Sequence, residues 1–183
     1  MDGSGGVNEA ALARLESRTQ AGRGDDAQKL APFAASDRKM ILFHGYSDGF
    51  ITPFRTIRFC QDWAMLRGGY EALGQHARLF MVPGMYHCNR GPGPNVFDAL
   101  GALDQWVEHG RAPEQMMATK YTHDDRTQPV LRTMPLCSFP TQARYSGTGD
   151  VHNAASWSCT ENQDLLKVGP NGASAGLVGP VRR

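Results

Sequence analysis

Two short stretches hold residue types that can move protons: His44-Gly45-Tyr46-Ser47-Asp48-Gly49 and Pro83-Gly84-Met85-Tyr86-His87-Cys88. An Asp carboxylate that accepts a hydrogen bond from one imidazole nitrogen fixes the ring tautomer and stabilises the imidazolium. The other nitrogen then takes a proton from a serine hydroxyl and returns it to a leaving alcohol. On this reading Asp48 is the acid member and His87 the base. The plain alternative is an Asp that caps a turn and a His bonded within its own loop. Gly45-Tyr46-Ser47-Asp48-Gly49 also fits G-x-S-x-G, which would make Ser47 a nucleophile. That pattern needs an acid on its own strand end between Ser47 and His87. One helix and one strand fill the interval, and Asp62 falls inside the helix. A small hydrolase using Ser47 and a non-catalytic interaction module therefore stand as the alternative functions. His44, at a strand end, reads as a buried, hydrogen-bonded histidine.

The two stretches need elements to hold them. Lys39-Met40-Ile41-Leu42-Phe43 carries a continuous apolar run after a charged pair, the mark of a parallel strand buried on both faces, and Ala77-Arg78-Leu79-Phe80-Met81-Val82 is a second buried-strand candidate. Pro53 suits a first helical turn, and Phe54, Ile57, Phe59, Trp63 and Leu66 carry a helix to Gly68-Gly69. Gly91-Pro92-Gly93-Pro94-Asn95 is a stiff loop, with Asn95 as the expected cap of a helix through Phe97, Leu100, Leu103, Trp106 and Val107, closed by Gly110. Asn8 caps a short helix through Glu16. The result is strand–helix–strand–helix, an α/β pattern with each candidate residue just past a strand's carboxyl end, where such sheets bind ligands. No further buried strand is legible in 1–38 or 111–183, so the sheet reads as incomplete. The expected organisation is a lead-in over 1–38, an α/β core over 39–110, an irregular extension over 111–168 and a loose tail over 169–183.

The 183 residues carry 19 Lys and Arg against 18 Asp and Glu, a net charge of +1. That balance gives no electrostatic reason to expect nucleic acid or an anionic membrane as partner. No apolar run approaches the roughly 20 residues of a membrane span. The 6 histidines lack paired ligand spacing, so no metal site is expected in this chain.

Four cysteines are present, with no C-x-x-C pair. Cys137 and Cys159 lie in a stretch rich in Pro, Ser, Thr and Gly that would gain from a staple worth about 3 kcal/mol. Such a bridge implies an oxidising compartment, secreted or periplasmic, while two reduced thiols would fit a cytosolic protein. The opening Met1-Asp2-Gly3-Ser4-Gly5-Gly6 has neither the basic end nor the apolar stretch of a signal peptide. Either the protein is cytosolic or its true beginning lies upstream.

Residues 39–48 resemble the acid-bearing strand and loop of the tannase and feruloyl esterase family. Leu79 to Cys88, followed by Gly91-Pro92-Gly93-Pro94-Asn95, resembles that family's histidine segment. The similarity continues through Phe97-Asp98-Ala99-Leu100, Trp106 to Pro113, Pro135-Leu136-Cys137, Ala143-Arg144-Tyr145 and Cys159. It implies the C-terminal part of an α/β-hydrolase fold, holding the last parallel strands and their helices. It further implies a serine-type hydrolase of aromatic carboxylic esters, feruloyl or galloyl, with Asp48 and His87 in the triad. By the same resemblance, Cys88 pairs with a cysteine beside the nucleophile, outside this chain, and Cys137 with Cys159. No Cys-Ser elbow with following glycines precedes Asp48. The chain is therefore expected to supply acid and base to a nucleophile carried elsewhere, and to be inactive alone. The missing N-terminal part of the same enzyme is the expected partner. The family's lid domain and its calcium are expected to lie outside this chain, which then needs no cofactor of its own.

Overall fold

A computed structural model describes Ala10, Ala11, Arg14 and residues 27–162. Most of the expected Asn8–Glu16 helix and all of the 169–183 tail lie outside the described residues. The core begins with helix α1 (Ala31–Ala35), strand β1 (Met40–Gly45), helix α2 (Pro53–Arg67), the short helix α3 (Tyr70–Leu73) and strand β2 (Ala77–Val82). Strands β1 and β2 pair in parallel, from Met40 opposite Ala77 to Gly45 opposite Val82.

The apolar run of β2 is buried on both faces, and strict alternation divides it. Ala77, Leu79 and Met81 join a cluster with Ile57, Cys60, Trp63 and Ala64 of α2 and with Leu73. Phe80 and Val82 face the other way, onto Met85, Met116, Ala118 and Leu136. Each fully buried side chain of this size stabilises the fold by about 1.5–3 kcal/mol, so β2 anchors the molecule. Helix α2 starts with Pro53 in its first turn and stops at Gly68 in the left-handed conformation (φ 91°), a position that Cβ disfavours. Its Leu66 faces solvent.

Helix α4 (Ala99–His109) starts later than expected. Its cap is Asp98, whose Oδ1 accepts from the Gly101 amide at 2.8 Å, not Asn95. Asn95 and Val96 are drawn instead into a bridge, both amides donating to the Thr119 carbonyl.

The expectation of an irregular stretch after residue 111 is corrected by four strands: β3 (Gln115–Tyr121), β4 (Val130–Cys137), β5 (Thr141–Tyr145) and β6 (Trp157–Glu161). They form two antiparallel pairs, β3–β4 and β5–β6. Strand β3 alternates, with Met116 and Ala118 inward while Gln115 and Met117 are exposed, and β4 is continuously buried only over its second half, from Met134 to Cys137. Pro135, which cannot donate to a ladder, sits opposite Met117 and further disguises β4.

The end of β4 runs on along β2. Ser138 bridges Phe80, and the Phe139 amide donates to the Leu79 carbonyl at 2.7 Å. One edge of the parallel pair is thus covered. The other edge, along β1, has no strand neighbour among the described residues.

Candidate active site

The turn after β1 and the loop after β2 touch because Gly45 has no side chain. A Cβ there would lie 2.3 Å from the Met85 carbonyl oxygen and 2.5 Å from that of Tyr86. With hydrogen in its place, the Ser47 amide donates to the Met85 carbonyl at 3.0 Å and the Tyr46 amide to that of Val82 at 2.9 Å. The two loop tips are laced together, and the side chains that follow meet. The His87 Nδ1–H donates to Asp48 Oδ2 at 2.7 Å.

Asp48 is held from every side. Its Oδ1 accepts from the amides of Phe50 and Ile51 at 2.8 and 3.0 Å. Its Oδ2 accepts from His44 Nε2 at 3.0 Å as well as from His87. The Asp48 side chain is only 2% exposed, whereas that of His87 is 42% exposed. Burial works to raise the Asp48 carboxyl. The hydrogen bonds from His87 and from the Ile51 and Phe50 amides outweigh it and hold the group well below the usual carboxylate range. The resulting stabilisation is present above the ordinary carboxyl value of 3.8 and is lost as pH falls below it toward the depressed value.

The loop that carries His87 is braced from behind. The Lys120 ammonium on β3 donates to the Gly91 carbonyl at 2.5 Å and also pairs with Asp124. The Asn95 side-chain amide donates to the same Asp124 oxygen at 2.8 Å. Gly91 itself (φ 96°) passes so close to Gly84 that a Cβ would sit 2.1 Å from the Gly84 carbonyl. Phe50, 89% exposed, stands edge-on to the His87 ring with centroids 5.8 Å apart.

The other sequence-selected residues are spread apart. Ser47 is exposed in the turn, several residues before α2 begins, and makes no hydrogen bond with His87. A nucleophile elbow places its serine directly between strand and helix, and this turn does not. Cys137 and Cys159 form a disulfide with a Cα–Cα distance of 5.6 Å. Cys88 is an exposed thiol beside the base, while Cys60 is buried and pushed up to about 12 by that burial. His44 is more closely involved than its sequence context suggests, because its partner Thr56 is in α2, beyond the reach of any local pattern. Among the described residues no group of three or more His, Cys, Asp or Glu side chains is arranged to hold a metal ion.

This arrangement can hold an imidazole with Nδ1–H on a buried carboxylate and its Nε2 lone pair toward solvent. Residues 6–160 match the family described as tannase and feruloyl esterase. The chain is 40% identical over 136 residues to a mono(2-hydroxyethyl) terephthalate hydrolase of Piscinibacter sakaiensis, covering 74% of this chain and 22% of that protein. It is 35% identical over 141 residues to a probable feruloyl esterase of Arthroderma benhamiae, covering 76% and 26%. Among solved structures it resembles an esterase from Aspergillus oryzae, with a TM-score of 0.74 and 28% identity over 85% of this chain and 33% of that one. The chain therefore spans from about a fifth to a third of the length of these relatives, and on the family match it belongs to the tannase and feruloyl esterase family.

Proposed function

We infer that this chain supplies the acid and base of a serine-type carboxylic ester hydrolase whose nucleophile is carried by residues outside it. The observation that carries this reading is the 2.7 Å bond from His87 Nδ1 to Asp48 Oδ2. With its Nδ1 proton on the carboxylate, His87 keeps an Nε2 lone pair able to take a proton from a serine hydroxyl. The same nitrogen then protonates the leaving alcohol, and Asp48 stabilises the imidazolium between the two steps. The fold is the C-terminal part of an α/β-hydrolase, to be completed by the N-terminal part of the same enzyme. In support, β1 has an unpaired edge among the described residues, and apolar Phe43, Phe50, Ile51 and Tyr86 are exposed around the site. Cys88, exposed beside His87, is placed to pair with a cysteine next to that nucleophile.

Esters of aromatic acids are the proposed substrates, since feruloyl, tannin and terephthalate compounds give the similar proteins their names. The Cys137–Cys159 bridge supports a secreted or periplasmic setting. A serine-directed phosphonate and methyl ferulate test the reading together. The chain alone should be neither labelled nor active. Mixed with a nucleophile-bearing N-terminal portion of a family esterase, it should restore turnover that Asp48→Asn or His87→Ala removes. Labelling of Ser47 with turnover by the isolated chain would overturn the assignment in favour of a self-contained hydrolase.

A further inference from the structure

Asp48 Oδ2 serves two imidazoles, and only one of them is the base. The second, His44, has its Nε2 within 3.0 Å of Asp48 Oδ2 and 3.1 Å of the Ile51 carbonyl oxygen. A carboxylate and a carbonyl can only accept, so Nε2 must carry the proton that both receive. The other nitrogen, Nδ1, lies 2.6 Å from the Thr56 hydroxyl. In a neutral ring Nδ1 is then an acceptor, and Thr56 donates to it. The tautomer of His44 follows from its neighbours alone.

We propose that His44, set as the Nε2–H tautomer by the Asp48 carboxylate and the Ile51 carbonyl and steadied by Thr56, is a positioning residue that holds the Asp48 carboxylate against His87. This rests on the reading of Asp48 and His87 as acid and base. A carboxylate has about four lone-pair directions. Here the Phe50 and Ile51 amides take two on Oδ1, and His44 and His87 take two on Oδ2. The group has no vacant direction through which to turn. The His44 side chain is 12% exposed, so water competes poorly for its place. Removing His44 leaves Oδ2 anchored by the partly exposed His87 alone. The chain of donors runs from a hydroxyl on α2, through a ring at the end of β1, to the carboxylate, which also accepts from the His87 ring. It ties the helix that follows the acid turn to the ring that moves the proton.

The test is nitrogen-15 and proton NMR on the whole chain near neutral pH, with no need for turnover. His44 should show an unprotonated Nδ1 and a protonated Nε2, and His87 a strongly downfield Nδ1 proton. His44→Phe keeps the ring's bulk and loses the donor. It should speed solvent exchange of the His87 Nδ1 proton by about tenfold, the effect of losing one hydrogen bond to a charged group. His44→Gln, whose amide can reach the carboxylate, should restore exchange to within about twofold of the unaltered chain. Thr56→Val, which leaves both acceptors on Nε2, should keep the proton on Nε2 but loosen the ring and speed exchange of the His87 Nδ1 proton by less than His44→Phe does, while Thr56→Ser should match the unaltered chain. A space-filling role would leave the His87 proton unmoved in His44→Phe, and that outcome overturns the proposal. So would a proton on His44 Nδ1 in the unaltered chain. Absence of a bonded His87 Nδ1 proton in the unaltered chain would instead bring down the acid–base reading itself.

Discussion

The parallel pair and the antiparallel strands that follow it are held by different means. Strands β1 and β2 depend on burial: β2 is packed on both faces, against α2 on one side and against Met116, Ala118 and Leu136 on the other. Strands β3 to β6 are half-buried hairpins, and a covalent bond ties the end of β4 to β6. The chemistry-bearing loops belong to the first region, and the second braces them from behind through Lys120, Asp124 and Thr119. The contrast teaches that precision at the Asp48–His87 contact comes from tight backbone approach, while the bridge secures a region too thin to secure itself.

The largest expected break confines itself to the first region. Asp48→Asn should lower kcat of the completed enzyme by about 10⁴-fold, because an amide does not hold the base in its working tautomer. Thermal melting of the isolated chain, followed by circular dichroism, should stay cooperative but at a lower midpoint, because the amide cannot accept from both imidazoles and both backbone amides. Gly45→Ala should damage both stability and chemistry. Its methyl would overlap two backbone carbonyls that cannot move aside, so a loss of more than about 2 kcal/mol in urea unfolding is expected, along with weakened coupling of the His87 ring to Asp48.

The converse change sharpens the comparison. Replacing both Cys137 and Cys159 by Ala should cost about 3 kcal/mol, read by the same urea titration. The Asp48–His87 contact lies elsewhere, so the His87 Nδ1 proton should persist in NMR spectra at temperatures where the variant is folded. The smallest effect is a labelling pattern. Iodoacetamide under native conditions should modify Cys88, which is exposed, and spare Cys60, whose thiol burial holds neutral, until the first region unfolds.

Legibility from sequence divides along the same line. An apolar run such as Leu79–Val82 states its own two-sided burial, and Pro53 with Gly68 marks both ends of α2, whereas β1, expected to be buried on both faces, is only partly buried with Phe43 exposed. The meeting of Asp48 with His87 was accessible because consecutive parallel strand ends lie side by side. The hairpins were not, since Met116, Ala118 and Pro135 follow no run that stands out in one dimension. The start of α4 was ambiguous for a related reason. Asn95 and Asp98 are both good caps, and only the bridge to Thr119, made across the fold, decides between them. His44 was seen as a hydrogen-bonded histidine, but its role needed Thr56 and the carboxylate in the same view.

The side of β1 that has no strand neighbour among the described residues has a consequence for handling the protein. Its backbone donors and acceptors are a template for any extended peptide, and Phe43 and Phe50 add greasy contacts beside it. A second copy can dock there edge to edge. Solubility should therefore fall with concentration, and recover when Phe43 is replaced by Lys.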